Sequence, residues 1–434
     1  MEVRSTSNHS TWFDNPHEVS AVAVTSRGPL RRWLNRNVIG IGLADLAADA
    51  NYEMVFSVLP LFITAGLGAP ALAVGLVEGI GDGSSAVVKL WSGWYSDRIG
   101  WRKRLAVGGY GTTVAGLGLL VAVVSWPQVF IARSVAWVGR GLRQPIRSAM
   151  LAASVERNDL GKAFGFHEAL DTAGALVGPA VAFAMLAGGA GFKAIFWVAL
   201  IPGVVAVTFF GLLTRDPRHE VPQAVSLRVP LPANFWRLIA PVAIFGVGNF
   251  ATAFFTLRAA QIMQPELSRT AALSAAVGFY LAHNAVGAAV SFPAGWLTDH
   301  VGKAPVLAAA YLTFGLACLV GLASHGWAAL ALLALLVGAE SPVVSSVEGS
   351  LTSSLVEQRR LGTAFGVLNG VNGAADLASS VLAGVLWTFV NPAAALGVGA
   401  VLSAIASAIL WAWRGPLSPS SADRTLASRP SSTA

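Results

Sequence analysis

Cysteine is almost missing from this chain. Cys318 is the only one, so no disulfide can form within it and oxidative folding plays no part. Charge is scarce as well. Asp, Glu, Lys and Arg make up 12% of the 434 residues, against about 25% in soluble domains. No Gly-x-x-x-x-Gly-Lys-Ser/Thr loop occurs, so ATP does not drive the protein through such a phosphate cradle. No histidine or cysteine cluster has metal-ligand spacing, and isolated serines have no base near them in sequence. Neither an enzyme, a cofactor nor a bound metal is expected.

What is present is apolar. Hydrophobic residues make up 55% of the chain, and the mean hydropathy is +0.63. In water such a chain would expose large sticky patches. Lipid suits it, because a spanning helix needs roughly 20 mostly apolar residues. The 46 glycines let membrane helices approach closely. The formal net charge of +7 is confined to gaps between apolar runs, and to every second gap. That distribution sets topology and does not indicate nucleic acid.

Apolar runs place helices at about 38–64, 71–94, 105–126, 128–152, 163–187, 193–214, 237–263, 271–296, 304–323, 328–353, 363–389 and 393–413. The fold class is all-α integral membrane, with twelve spans in two pseudo-symmetric six-helix bundles. The expected organisation is a tail over 1–36, a first bundle over 37–214, a linker over 215–236, a second bundle over 237–413 and a tail over 414–434. The linker carries Pro217, Pro222, Pro230 and Pro232 and no helical period. No apolar core is followed by a small-residue cleavage site near the start, so no signal peptide is expected. One set of loops holds Arg98, Arg102, Lys103, Arg104, Arg157, Lys162, Lys303, Arg359 and Arg360. The alternate set holds only Arg269. Both termini are expected in the cytoplasm and the chain in the inner (plasma) membrane.

Two stretches occur twice. Gly93-Trp94-Tyr95-Ser96-Asp97-Arg98-Ile99-Gly100 returns as Gly295-Trp296-Leu297-Thr298-Asp299-His300-Val301-Gly302, 202 residues later. Leu160-Gly161-Lys162-Ala163-Phe164-Gly165 returns as Leu361-Gly362-Thr363-Ala364-Phe365-Gly366 after 201. Two unrelated segments sharing one interval indicate a tandem duplication.

Twelve helices, two halves, a basic middle loop and the Gly93–Gly100 signature together resemble the major facilitator superfamily over about residues 38–413. That family's loop signature is Gly-x-x-x-Asp-Arg-x-Gly-Arg-Arg/Lys. Here Trp101 displaces the basic run Arg102-Lys103-Arg104, and the second copy degrades after Gly302. The resemblance implies that Asp97, with Gly93, Arg98 and Gly100, belongs to a latch between the halves on the cytoplasmic side. Gly174-Ala175-Leu176-Val177-Gly178-Pro179 resembles, in part, an element of that family's exporters. Plain helix packing through its glycines is the alternative. The fourth-helix Arg-x-x-Gln-Gly element is poor, with Ala136 and Trp137 after Arg133. The run Gly139-Arg140-Gly141-Leu142-Arg143-Gln144-Pro145-Ile146-Arg147 resembles a prokaryotic subgroup.

Ionisable groups in hydrocarbon are expensive, about 2.5–3.5 kcal/mol on insertion scales, and need partners or water. Asp45, Asp49 and Glu53 recur every fourth residue and share one face of the first helix. Arg133, Arg140 and Arg147 recur every seventh on the fourth, with Arg143 beside them. The second helix adds Glu78 and Asp82, and the fifth adds His167, Glu168 and Asp171. Counting about 1.5 Å per residue levels Glu53 and Glu78 with Arg133 at the outer end. Asp49 and Asp82 then match Arg140 at the midplane. Asp45, Glu168 and Asp171 match Arg143 and Arg147 at the inner end. Acids outnumber arginines in the outer two layers, and a carboxyl without a full partner there is suited to proton binding. A purely structural set of ion pairs is the alternative.

The second half offers Asn249, His283, Asn284, Glu340, Asn372 and Asp376 near the midplane. Glu348 stands 201 residues after Arg147 and could pair with it across the seam. His283 is more often a hydrogen-bonded helix histidine than a shuttle. The expected coupling or substrate set is Asp45, Asp49, Glu53, Glu78, Asp82, Arg133, Arg140, Asn249, His283, Glu340 and Asp376. The expected cytoplasmic gate is Gly93, Asp97, Arg98, Gly100, Arg143, Arg147, Glu168, Asp171 and Asp299. The expected function is a secondary, proton-coupled transporter working by alternating access, leaning to efflux of amphipathic or drug-like compounds. The alternatives are transport of an organic or phosphorylated anion on the fourth-helix arginines, and a membrane receptor that transports nothing. The expected partners are a small solute, protons and the bilayer, with the chain a monomer and no nucleic acid.

Overall fold

The computed structural model describes residues 33–96, 102–156, 159–216, 231–323, 325–357, 360–415 and 417. Among them the first six spans are α1 (Arg36–Leu61, prolonged by the π-turn Phe62–Gly66), α2 (Ala71–Ser96), α3 (Arg102–Leu119), α4 (Trp126–Ala152), α5 (Leu160–Ala187) and α6 (Phe192–Leu213). The seventh is split into α7 (Ala233–Gly248) and α8 (Thr252–Met263). The last five are α9 (Arg269–Val301), α10 (Lys303–Ala323), α11 (Gly326–Leu355), α12 (Leu361–Phe389) and α13 (Pro392–Ala412).

Nine of the spans among the described residues are long and apolar enough to cross a bilayer by composition alone. The other three carry polar side chains. The third opens on Arg102-Lys103-Arg104, the fourth holds four arginines, and the eleventh holds Asn369, Asn372 and Asp376. A membrane helix tolerates these only where they face other protein or water. The first span is almost wholly enclosed. Its N-terminus is capped by Asn35, whose side-chain Oδ1 accepts from the amides of Asn37 and Val38.

The two halves repeat one packing scheme. In the first, α1 lies on α5 and α6, α3 on α4 and α6, and α2 on α4. In the second, α7 lies on α12 and α13, α10 on α11 and α13, and α9 on α11. The halves meet along α2 with α12 and α5 with α9. Gly174 and Gly178 serve packing. A Cβ on Gly178 would stand 2.7 Å from the Met54 amide nitrogen, so only glycine lets α5 lie this close to α1.

Let the terminal face be the one where the chain enters the first span. The halves are locked together at the opposite face. A Cβ on Gly75 of α2 would collide with the Ser380 carbonyl oxygen of α12, and one on Gly384 would lie 3.0 Å from Leu72 Cα. Two hydrogen bonds join the halves there. The Leu72 amide donates to Thr388 Oγ1 (2.8 Å) and Arg269 Nη2 to the Ala65 carbonyl (2.6 Å). Toward the terminal face, Gly161 and Gly165 of α5 and Gly366 and Gly370 of α12 have open space where a Cβ would stand. The cleft between the halves therefore opens toward the terminal face.

The seventh span departs from the single helix expected over 237–263. It breaks at Asn249–Ala251. Gly246 and Gly248 press against α12 and α13, where Cβ atoms would meet Ala375 and Leu402 at 2.6 and 2.8 Å. The break frees backbone groups that lipid cannot satisfy. Ser379 Oγ donates to the freed Asn249 carbonyl (3.0 Å).

Candidate functional site

The acid stripe on α1 faces α4 and α5, as its spacing predicts. Asp45 is fully buried and engaged from four sides. Arg147 Nη1 lies 2.7 Å from Oδ1, His167 Nε2 2.7 Å from Oδ2, and Arg143 Nη1 3.6 Å from Oδ1. Tyr110 Oη donates to Oδ1 at 2.5 Å. Asp49 is held more loosely, with Arg143 Nη2 at 3.7 Å. Asp171, beside Asp49, stands 3.8 Å from Arg147 Nη1. Three carboxylates thus share two guanidiniums within 4 Å. A buried charge needs this company, since removing one partner strands the other.

Glu78 and Arg133 form a buried ion pair at one level, as their depths predict. The Arg133 guanidinium lies 3.5 Å from the ring centroids of both Phe56 and Trp137, which stack on each other at 4.8 Å. Glu53, expected beside them, instead accepts from Tyr280 Oη of the second half (2.7 Å). Arg140 lies over the Tyr52 ring at 4.2 Å.

Between the halves lies a cavity of about 540 Å³. Its polar wall takes Glu78, Arg133 and Asp171 from the first half. The second half supplies Asn249, His283, Glu340 and Asp376. The rings of Tyr52, Phe56, Phe250, Phe255, Tyr280 and Phe314 complete it. A second cavity of about 490 Å³ adjoins it through Tyr52 and Asp376, and is lined by Arg140, Lys89, Ser85, Asn369 and Asn372.

These walls correct several expectations. Asp45, Asp49 and Glu53 line neither cavity. They sit behind the wall, because α1 runs through the bundle interior. Asp171, expected at the gate, lines the central cavity, because α5 starts at Leu160 and carries it roughly 17 Å inward. Glu168 is exposed and stands outside the network, since it points away from α1. Arg143 and Arg147, expected at the gate, are spent on Asp45 and Asp49. Glu348 does not cross the seam to Arg147. It accepts from Tyr311 Oη (2.8 Å) and Asn372 Nδ2 (2.9 Å) within its own half. Asp97, Arg98 and Gly100 lie outside the described residues, as do the side chains of Asp82 and Asp299; Gly93 falls in the last turns of α2.

In the second half Glu340 is buried, and its contact is Asn249 Nδ2 at 3.4 Å, placed there by the break in the seventh span. His283 turns Nδ1 to the Tyr280 carbonyl (2.5 Å) and stacks on Phe279. It is a hydrogen-bonded helix histidine with one nitrogen committed. Asp45, His167 and Asp171 place donor atoms within 4.8 Å of one another. The guanidinium of Arg147 lies between the two carboxylates and supplies the positive charge that a metal ion would bring.

The sequence did not reveal tyrosines as partners of the buried charges. The chain has five, and Tyr52, Tyr110, Tyr280 and Tyr311 each touch a buried charge. Their signal was depth: they lie inside spans, away from the interfacial belt where tyrosine is ordinary.

Known proteins share this architecture. The family model of the Major Facilitator Superfamily matches residues 41–287 and 250–432. An uncharacterized MFS-type transporter of Methanocaldococcus jannaschii is 29% identical over 383 residues, covering 87% of this chain and 95% of the relative. An uncharacterized protein of Mycobacterium tuberculosis is 30% identical over 383 residues, covering 83% and 88%. Among solved structures, the nucleoside transporter NupG superposes with a TM-score of 0.74 at 10% identity, covering 88% of this chain and all of that one. The peptide transporter POT gives 0.72 at 15%, covering 88% and 95%. At those identities the likeness concerns the fold.

Proposed function

The chain belongs to the major facilitator superfamily and is a multi-pass membrane transporter, and from that premise we propose that it exports amphipathic, cation-bearing compounds in exchange for protons. One observation carries the coupling. Asp45, Asp49 and Asp171 share Arg143 and Arg147, and Asp171 alone of the three lines the central cavity. One of the three acids can hold a proton without leaving the buried charge unbalanced. Asp171 is the member that cavity water reaches.

The substrate class follows from the wall. Aromatic rings from both halves surround Glu78, Asp171, Glu340 and Asp376, while Arg133, the one arginine of this wall among the described residues, is paired with Glu78. Such a cavity suits an apolar body with a positive centre. Movement follows from alternating access. The cleft opens at the terminal face and is closed by α2 with α12 at the other. The basic loops on the terminal side favour the cytoplasm there, in the plasma membrane.

A second reading has one supporting observation. Arg140 and Lys89 line the adjoining cavity and could receive an anion. Proteoliposomes separate the two. An imposed pH gradient should drive ethidium, the cationic probe, and leave p-aminohippurate, the anionic probe, unmoved. Arg140→Ala should weaken ethidium transport without ending it. Movement of p-aminohippurate abolished by Arg140→Ala would favour the second reading, and movement of neither probe would reject the substrate class.

A further inference from the structure

The duplication repeats the buried cluster of the first half with its charges rewritten. Tyr311 stands 201 residues after Tyr110, Glu348 after Arg147 and Asn372 after Asp171. At the same interval Gly246 stands for Asp45 and Leu368 for His167. The geometry is kept. In the first half Tyr110 Oη and Arg147 meet on Asp45, with Asp171 at the edge. In the second, Tyr311 Oη and Asn372 Nδ2 meet on Glu348 at 2.8 and 2.9 Å. The cation has become an acid, its counter-acid has become glycine, and the remaining acid has become an amide. One carboxyl is left in a cluster that, among the described residues, places no guanidinium, ammonium or imidazole within 4 Å of it.

Glu348 is buried, 3% exposed. The helices around it contribute few titratable groups. On the ninth span Tyr311 touches it, and Lys303 donates to the Ser350 carbonyl (2.8 Å). Glu340 lies two turns away on its own helix, Asp376 one turn beyond Asn372, and His283 on the eighth span is committed to the Tyr280 carbonyl. The seventh span contributes Phe245, stacked on Tyr311 at 3.7 Å. An acid so placed can exist with or without its proton only if both states find hydrogen bonds. This site offers both. Ionised, the two oxygens accept from Tyr311 and Asn372. Protonated, the new O–H has an acceptor in the Tyr311 hydroxyl, which rotates from donor to acceptor. Thr352 Oγ1, one turn on along α11, is buried and has no hydrogen-bond partner among the described residues. Access is short, because Asn372 lines the adjoining cavity of about 490 Å³.

We propose that Glu348 is a proton-binding site of the second half, the counterpart of the acid–arginine cluster in the first. A hydronium ion in the adjoining cavity would transfer its proton to a Glu348 oxygen and leave as water. Resting on the coupling reading above, this site adds a second place for a proton in the transport cycle.

Infrared spectroscopy of the full chain in lipid, stepped from acid to alkaline pH, reads it directly. A protonated carboxyl has a C=O stretch above the amide band. The expected result is a titrating signal that includes one component removed by Glu348→Gln and another removed by Asp171→Asn. Tyr311→Phe should shift the frequency of the Glu348 component without removing it, as a merely structural role would not. A Glu348→Gln spectrum identical to that of the unaltered chain overturns the proposal. If that variant does not fold, an unshifted spectrum in Tyr311→Phe overturns it. Loss of the Glu348 component with no effect of Asp171→Asn would support this site and reject the coupling role of Asp171.

Discussion

Arg147→Gln tests whether the buried cluster is held by charge. The side chain lies 2.7 Å from Asp45 and 3.8 Å from Asp171, and Asp45 is fully enclosed. Removing the guanidinium leaves three carboxylates to the one guanidinium of Arg143, with His167 on Asp45. Breaking a buried pair in this way costs about 3–5 kcal/mol. At about 2 cal/mol/K per residue, a chain of 434 residues loses roughly 1 °C of Tm for each kcal/mol. A fall of roughly 3–5 °C is expected in detergent, read by fluorescence-detected size exclusion after heating at one fixed rate. Asp45→Asn should cost a similar amount. The double variant should cost less than the two singles together, by roughly 0.5–3 kcal/mol, because it strands neither charge. Lys162→Gln is the control. Its pair with Asp159 is 2.7 Å long, but the lysine is 60% exposed, and its loss should stay within about 0.5 kcal/mol. An Arg147→Gln chain as stable as that control, or a strictly additive double variant, would show that charge does not hold the cluster.

Other perturbations have equally definite outcomes. Gly75→Leu should force α2 from α12 at the closed face. Cysteines placed on that face, in a chain with Cys318 replaced, should then label faster with a membrane-impermeant maleimide; an unchanged rate would reject the closure. Ser379→Ala leaves the Asn249 carbonyl of the broken seventh span without its donor. A loss of about 1–3 kcal/mol is expected in thermal unfolding, whereas Ser345→Ala, exposed on α11, should change nothing.

Much of this was legible beforehand, for physical reasons that also mark where reading stopped. Helical period and depth are arithmetic, so they level Asp45 with Arg143 and Arg147, and Glu78 with Arg133, but they do not say which groups of a level pair. Asp171 meets Arg147, as its level implies, but depth along a helix does not tell which side chains face the central cavity. The break at Asn249 was hidden in an apolar run, its one sign the pair Gly246 and Gly248. Register places Glu348 opposite Arg147 in the duplication, but not how the bundles rotate, so the seam pairing failed. Tyr110 and Tyr311 carry no charge at neutral pH and drew no notice, although each anchors a buried acid.

The most direct test is Asp171→Asn in proteoliposomes, with ethidium followed in two modes. Counterflow without a pH gradient should persist, because the cavity and its aromatic wall remain. Accumulation driven by the gradient should vanish, because the proton's place is gone. Gradient-driven accumulation that survives unchanged in this variant would contradict a coupling role for the cluster around Asp45, Asp49 and Asp171.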